Sequence, residues 1–443
     1  MNILHYSLGF PPYRSGGLTK FCMDLMHQQI RDGHQVSLLW PGSMDPINRT
    51  TRIKKRLPVN GVGSYEIINP LPVPYDEGII ELEAFMRAGD PAAYRRFLRE
   101  LKPDVVHIHT LMGLHAEFLQ AVREEKIRLV FSAHDFFPIC PKVTLFRDGA
   151  ICADAGSCGT CAQCNQTALS YRRICFLQSD LYRSVKDTPL VKIYRKRHRD
   201  RFLNGTRSNG EIRNLRDPEE YRRLRRFYGN MLEQMDRIHF NSSVTQKVYH
   251  EFFTIPEECL VPITHEDVAD KRRKKAFSSK CIRIRYLGPQ GAGKGFMILK
   301  DALDRMWEKR QDFCLDVHFT PDEIAPYMRC HERYTYGELE EIFAETDVLV
   351  CPSLWYETFG YTVIEALSFG VPVVISGTVG AKDIVSEGAG IVIEDIDSQK
   401  LETVLSGLTA EKLSDMNRHI LESQRIKSIA SMSKELEEKL YGC

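Results

Sequence analysis

Residues 351–372, CPSLWYETFGYTVIEALSFGVP, read as a buried strand end, a loop, a short helix and a turn into another strand. The preceding run 347–351 (DVLVC) is apolar and rich in β-branched residues, and Pro352 closes it. Helical patterning resumes at Tyr361 with Val363, Ile364, Leu367 and Ser368, and stops at Gly370. Gly360 stands where the loop becomes the helix. A residue without a Cβ there lets a ligand reach the free N–H groups of the first turn, which attract anions. Glu357 lies in the loop and Glu365 about one turn into the helix. Such a pair suits a ligand with both phosphate and hydroxyls, because carboxylates accept from hydroxyls and helix-start N–H groups donate to phosphate. A lone E-x7-E has a plainer reading, a surface glutamate and a first-turn glutamate held by the helix dipole. The longer string is much rarer.

That string, P-S-x-x-x-E-T-F-G-x-x-x-x-E-A-L-x-x-G-x-P-V, resembles the nucleotide-sugar site of retaining glycosyltransferases of the GT-B fold, family 4. The resemblance implies an α/β chain of two doubly wound, Rossmann-like domains facing across a cleft. It implies hexosyl transfer from a nucleotide-diphosphate sugar to an acceptor hydroxyl, with retention and without a catalytic metal. In that reading Glu357 holds sugar hydroxyls, Glu365 accepts from the ribose, and Phe359, Gly360 and Tyr361 surround the donor.

A chain of 443 residues suits two domains, each able to bury a core. Apolar content is 43%, charged content 27% and net charge +1, so nothing drives the whole chain toward nucleic acid. No stretch of eighteen apolar residues appears, and the N-terminus opens directly into a strand pattern. The expectation is a cytoplasmic protein, peripheral at most at the inner face of a membrane. Thirteen cysteines, several in apolar runs (Cys22, Cys281, Cys314, Cys351), fit reduced core thiols better than a disulfide framework.

Taken in order, residues 3–7, 18–30 and 35–40 form a βαβ unit whose first turn carries Gly16 and Gly17. It lacks G-x-G-x-x-G, so the dinucleotide fingerprint is absent. FPPYRSGGL resembles the family loop in which paired glycines approach donor phosphates and acceptor; a simple tight turn is the alternative. Strands 103–109 (PDVVHIH) and 127–133 (IRLVFSA) each end in a histidine-bearing loop, at the edge where parallel sheets bind ligands. His109 matches the family histidine beside the transferred sugar, and His134 a second position on the acceptor side. His107, deeper on the same strand face, reads as a core histidine.

Residues 140–175 interrupt the α/β rhythm with Cys140, Cys152, Cys158, Cys161, Cys164 and Cys175. Repeated C-x2-C on a short loop is a metal-ligand pattern. A structural zinc, an iron–sulfur cluster and unliganded thiols all remain open. Residues 170–235 are charge-rich, with basic clusters at 192–201 and 222–226. They are either solvated helix faces paired with acids or a contact for an anionic membrane that presents a lipid-linked acceptor.

The first domain is expected to span 1–265, with the cysteine-rich loop at 140–175 and the basic insert at 170–235. A hydrophilic linker covers 266–280, the donor domain 281–418, and a terminal helix 419–443 crosses back, as the resemblance implies. The loop 288–295 (GPQGAGKG) is glycine-rich and ends in Lys294, but it fails the Walker pattern at Gly295. It resembles the family's G-R-x-x-x-x-K-G diphosphate loop; Lys294 matches the lysine, while Pro289 replaces the arginine. Polysaccharide or lipid-linked glycan synthesis is the expected setting, with a glycan or lipid-linked acceptor. Two alternatives stand beside transfer: a GT-B nucleotide-sugar epimerase, and a zinc-stabilised nucleic-acid-binding protein. The second lacks a basic surface interleaved with aromatics.

Overall fold

The computed structural model describes residues 1–12, 14, 16–75, 77–154, 156–186, 188 and 217–442. The first domain contains β1 (Asn2–Tyr6), β2 (Gln35–Pro41), β3 (Arg52–Val59), β4 (Val62–Ile68), β5 (Val105–Ile108), β6 (Arg128–Ala133), the short pair β7 (Phe146–Arg147) and β8 (Ala150–Ile151), β9 (Arg237–Phe240) and β10 (Glu258–Leu260). Its large sheet has the order β10-β9-β6-β5-β1-β2-β4-β3. The second contains β11 (Ile282–Tyr286), β12 (Phe313–Val317), β13 (Met328–Cys330), β14 (Val348–Cys351), β15 (Val373–Ser376) and β16 (Gly390–Ile393), ordered β13-β12-β11-β14-β15-β16. Every pair in the second sheet is parallel, and so is every pair in the first except β3–β4. Strands buried on both faces need continuous apolar runs, which β5 (VVHI) and β15 (VVIS) supply. The fold is GT-B, two Rossmann-like α/β domains.

Three elements depart from the sequence reading. The hairpin β3–β4 was not expected, because β3 (RIKKRLPV) is largely polar. It is an edge strand, where lysine and arginine deter pairing with another chain. Its signal was Asn60-Gly61, which turns the hairpin with positive φ at both residues (49° and 85°). β13 is three residues long, too short for any periodicity. The terminal helix, expected to be continuous, breaks after Ser423 and restarts as Ile429–Leu436, where the Ser428 side chain caps the Ser431 N–H. A π-helical turn, Glu437–Tyr441, follows. This last segment packs on the helix Gly17–Arg31 of the first domain.

The two domains share a hydrophobic cluster. Phe21, Leu25 and Met26 of the first meet Val363, Ile364 and Leu367 of the second and Leu436 and Leu440 of the terminal segment. Hydrogen bonds fix the register across the gap. The Thr358 carbonyl accepts from the hydroxyls of Ser242 (2.6 Å) and Thr245 (3.1 Å), and the Thr358 hydroxyl donates to the His134 carbonyl (3.2 Å). Gly380 lies against this contact: a Cβ there would fall 2.2 Å from the Thr358 carbonyl oxygen and 2.4 Å from Ser242 Oγ. Gly380→Ala is therefore expected to force the domains' lips apart and to lower stability by about 1–3 kcal/mol. The denaturation midpoint in urea reads this directly; a midpoint equal to wild type would show that the contact yields without strain.

Candidate functional site

In an open parallel sheet, ligands collect where the strand order reverses, beyond the carboxyl ends of the strands. The second sheet reverses between β11 and β14, whose following loops are 287–295 and 352–360. The first reverses between β1 and β5, where the His109 N–H still donates to the Tyr6 carbonyl at 2.9 Å. A cavity of about 540 Å³ lies between the two reversals. Gly17, His134 and Asn241 line it from the first domain, and Lys294, Glu357 and Glu365 from the second. Phe359, Gly360 and Tyr361 also line it.

On the second-domain wall, Gly360 has φ 103° and opens the helix Tyr361–Ser368. Only glycine takes that conformation without strain. Lys294 ends a 3-10 turn (Ala292–Lys294) held against the loop: Gly295 sits so close that a Cβ would fall 1.8 Å from the Pro352 carbonyl. Lys294 Nζ donates to Glu357 Oε1 at 2.5 Å and lies 5.3 Å from the Trp355 ring centroid. The same carboxylate oxygen accepts from Trp355 Nε1 (2.5 Å) and Ser353 Oγ (3.1 Å). Glu365 is buried, 3% exposed, and its Oε1 accepts a hydrogen bond from His265 Nε2 at 2.9 Å. Lys294 is the one lysine or arginine lining the cavity among the described residues. Among the described residues no arginine lining the cavity stands in for the one replaced by Pro289, whose carbonyl accepts from the Tyr286 hydroxyl.

The first-domain wall differs in detail from the sequence reading. His109 does not line the cavity. It is fully buried behind His134, with Nε2 2.9 Å from His5 Nδ1 and Nδ1 3.4 Å from His134 Nε2. The strand end continues its pairing with β1 through residue 109, so the chain turns outward only later, and the β6 loop supplies the cavity histidine. Gly16, with φ 110°, caps the helix Gly17–Arg31 but stays off the cavity wall; a Cβ at Gly17 would meet the Tyr361 ring at 3.3 Å. Asp135 caps the next turn by accepting the Phe137 N–H (2.9 Å), and burial pushes its carboxyl up to about 6.

Several lining residues carried no role in the sequence reading. Asn241 follows β9, another carboxyl-edge position; its Oδ1 lies 3.0 Å from the Thr245 hydroxyl, whose proton it shares with the Thr358 carbonyl, and its buried Nδ2 has no partner among the described residues. The buried Tyr361 hydroxyl is likewise unpartnered among the described residues. Tyr334 and Tyr336 form an aromatic wall beside Glu365. Asn241 could have been found by applying the strand-end rule to β9. His265, which holds Glu365, sits 100 residues before its partner in a polar stretch, and nothing local marks it.

Cys140, Cys152, Cys161 and Cys164 gather around the β7–β8 hairpin and the short helix Cys161–Cys164. Backbone N–H groups of Lys142 and Leu145 face the Cys140 sulfur, and that of Asp154 faces Cys152. Cys158 is hydrogen-bonded to Cys161, which draws its thiol down to about 7. Cys175 lies apart, bonded to Tyr171. Among the described residues, the side-chain groups whose ligand atoms lie within 4.8 Å of one another are His5/His107/His109 and Asp24/His265/Asp267, not the cysteines. In the second of these groups the Lys20 ammonium pairs with both aspartates, at 2.7 and 2.6 Å.

The expected basic face for a membrane is not free on the helix Pro218–Leu232. Arg222 and Arg226 pair with Glu219, Arg223 pairs with Glu83, and Arg225 donates to the Ile139 and Gly156 carbonyls. The other basic cluster, 192–201, lies outside the described residues. No helix among the described residues is long and apolar enough to cross a membrane.

Comparison with known proteins agrees with the fold. Residues 15–152 match Glycosyltransferase Family 4, and residues 328–423 match Glycosyl transferases group 1. A 106-residue stretch is 33% identical to sulfoquinovosyl transferase SQD2 of Arabidopsis thaliana, covering 23% of this chain and 21% of that protein. A 73-residue stretch is 34% identical to an uncharacterised 41.2 kDa protein in the cps region of Klebsiella pneumoniae, covering 16% and 20%. The chain thus aligns with about a fifth of the length of each of these relatives. Among solved structures, sucrose-phosphate synthase from Thermosynechococcus elongatus superposes with a TM-score of 0.57 at 13% identity, over 100% of this chain and 99% of that one. Anabaena HepE in complex with UDP-glucose gives 0.56 at 13% identity, over 100% of both.

Six buried histidines make stability depend on pH. Burial lowers His5, His115 and His239 to about 4 and His134 to about 3, and holds His107 and His109 well below the usual value. The unfolded chain binds these protons near pH 6.5, whereas the folded chain binds those of His5, His115, His239 and His134 only near or below about 4, and those of His107 and His109 well below the ordinary value. Unfolding therefore takes up protons throughout that window, each contributing about 1.4 kcal/mol of lost stability per pH unit as pH falls. A urea series from pH 7.5 to 4.5 should show stability flat above pH 7 and falling steeply below 6.5. A flat profile from 6.5 to 5 would mean that the cluster is protonated in the folded state.

Proposed function

We propose, for a GT-B chain whose two domains each match a glycosyltransferase family, that it moves a sugar from a nucleotide-diphosphate sugar to an acceptor hydroxyl with retention at the reacting carbon. One observation carries the reading: Lys294, the glycine-opened helix start and both glutamates line one cavity at the strand-order reversals. The UDP-glucose bound by the HepE structure supports a nucleotide-sugar donor.

As the sugar–phosphate bond breaks, negative charge grows on the leaving diphosphate. Lys294 and the N–H groups after Gly360 stabilise it in a partly closed site, where fixed donors are worth more than in water. An incoming diphosphate takes Lys294 from Glu357, which frees that carboxylate to accept sugar hydroxyls. The second oxygen of Glu365 accepts from the ribose while His265 holds the first. Tyr334 and Tyr336 offer the base a stacking wall. Asn241 Nδ2 and the Tyr361 hydroxyl are donors ready for the donor or acceptor. The acceptor proton passes to the leaving phosphate oxygen, so the neutral first-domain histidines orient rather than deprotonate. With one lysine and no arginine on its wall among the described residues, the site leans on the helix start more than the family pattern does. The cps-region relative favours a glycan or lipid-linked acceptor, in polysaccharide synthesis. An epimerase would use the same donor wall without an acceptor.

A panel of common nucleotide sugars, scored for slow donor hydrolysis and for transfer, tests this. Lys294→Ala is expected to reduce turnover about 10²-fold. Glu365→Ala should raise the donor KM with a smaller change in kcat. Wild-type turnover in both variants would remove the reading, and a product formed without acceptor that is a second nucleotide sugar would favour the epimerase.

The cysteine loop is part of the same proposal: Cys140, Cys152, Cys158, Cys161 and Cys164 are the candidate ligands of a structural zinc outside the reaction, which would have to draw together sulfurs no three of which lie within 4.8 Å of one another. Backbone N–H groups face Cys140 and Cys152, but burial still pushes both thiols up, Cys140 to about 11, so a metal would have to drive their deprotonation. The purified protein should then carry about one zinc, and its removal by chelation should lower the melting temperature. Iron with visible absorption would replace zinc by an iron–sulfur cluster; neither metal would end the proposal.

A further inference from the structure

The first domain holds five buried or half-buried histidines in contact, and their protons can be assigned one by one from a fixed end. That end is the Val261 carbonyl, which only accepts. His239 Nε2 lies 2.8 Å from it and must carry the proton. Burial keeps the ring neutral, so His239 Nδ1 is bare. Ser132 Oγ, 2.7 Å from that nitrogen, gives its one proton to it. It can therefore only accept from His107 Nε2, also at 2.7 Å.

His107 is neutral too, so its Nδ1 is bare and accepts from the Tyr441 hydroxyl at 2.9 Å. Having given its proton to His107, Tyr441 accepts from Gln29 Nε2 at 2.9 Å, which fixes which way the amide points. Gln29 Oε1 then accepts from His5 Nε2 at 2.7 Å. His5 Nδ1 accepts from His109 Nε2 at 2.9 Å, and His109 Nδ1 from His134 Nε2 at 3.4 Å. Eight residues thus donate in one direction, from the cavity inward to the Val261 carbonyl. At each step the alternative tautomer would set two protons or two lone pairs against each other in a dry interior.

We infer that this chain of hydrogen bonds fixes His134 at the cavity wall with its proton on Nε2 and a bare, accepting Nδ1, and that Tyr441 is a positioning residue for it. The consequence for the site rests on the transfer reading: His134 presents a hydrogen-bond acceptor to a hydroxyl of sugar or acceptor and cannot donate to the leaving group. Its protonation is driven far below neutrality, so it orients that hydroxyl without removing its proton. Tyr441 comes from the last turn of the chain, packed back on the first domain. Docking of the C-terminal segment and the proton arrangement at the cavity are therefore one property.

The nitrogens of His5, His107 and His109 are close enough together to suit a metal. The bare Nδ1 of each, however, already accepts a proton in this chain, and an ion would have to break those bonds.

The full-length protein labelled with ¹⁵N-histidine tests the assignment without any substrate, so a failed transfer assay and a failed relay remain distinguishable. Long-range ¹H–¹⁵N spectra of the wild type should show His5, His107, His109, His134 and His239 each with a protonated Nε2 and a bare Nδ1. In Tyr441→Phe the imposed direction is lost beyond Gln29, and the single bare-Nδ1 signal of His134 should move or split between tautomers. Because that variant could also loosen the C-terminal turn, Ser132→Ala breaks the same chain inside the first domain. It should disturb the tautomer of His134, two residues away in sequence but six hydrogen bonds away along the ladder, in the same sense. A wild-type His134 protonated on Nδ1, a charged ring in the set, zinc bound on the triad, or a His134 signal unmoved in both variants would each overturn the inference.

Discussion

The site depends on how one carbonyl oxygen is shared. Thr358 offers its C=O to two hydroxyls of the opposing domain, Ser242 and Thr245, and its own hydroxyl to the His134 carbonyl. A loop between a strand and a helix would ordinarily leave those groups to water. Here they are spent on the other domain, so the loop that carries Glu357 and opens the helix at Gly360 cannot move without breaking inter-domain bonds. Gly380 permits the approach and the shared apolar cluster supplies its bulk. The placement of His134 opposite Glu357 follows from this contact rather than from either domain alone.

The electrostatics of the two walls are complementary in kind. The second-domain wall bears the charges: one ammonium, two carboxylates and the positive end of a helix. The first-domain wall is uncharged, because burial holds His107, His109 and His134 as neutral, singly protonated rings. A chain of imidazolium rings in that interior would repel an oxocarbenium-like sugar; a chain of neutral rings does not. The lysine–glutamate contact at 2.5 Å keeps both groups of the charged wall in place until a diphosphate competes for the lysine.

Sequence reading reached some of this and not the rest, for identifiable reasons. The string around Gly360 was legible because a glycine forced to φ 103°, a proline after a strand and a helix stripe leave local marks. The same holds for Lys294 after its glycines. His109 was misplaced by the strand-end rule itself: the residue after β5 still pairs with β1, so it points into the domain, and the β6 loop reaches the cavity instead. The β3 strand was hidden because an edge strand is polar, although its Asn-Gly turn was visible. The partnership of Glu365 with His265 and of His107 with Tyr441 joins residues 100 and 334 positions apart, and no periodicity encodes such pairs.

The terminal turn ties these threads together. A C-terminal segment packed on the first domain could be held by its apolar face alone, through Leu436 and Leu440. Placing a tyrosine hydroxyl into the histidine ladder adds a condition that apolar packing cannot impose, because a hydroxyl must be both given to and taken from. With Gln29 donating to it on one side and His107 accepting on the other, Tyr441 transmits a direction across a point where a phenylalanine would transmit only contact. The first strand, the fifth, the sixth and the ninth, the first helix and the chain's last turn each contribute one link. The polar interior of the first domain is thereby specified as a unit, and which nitrogen of the cavity histidine carries its proton is set from the far side of the fold.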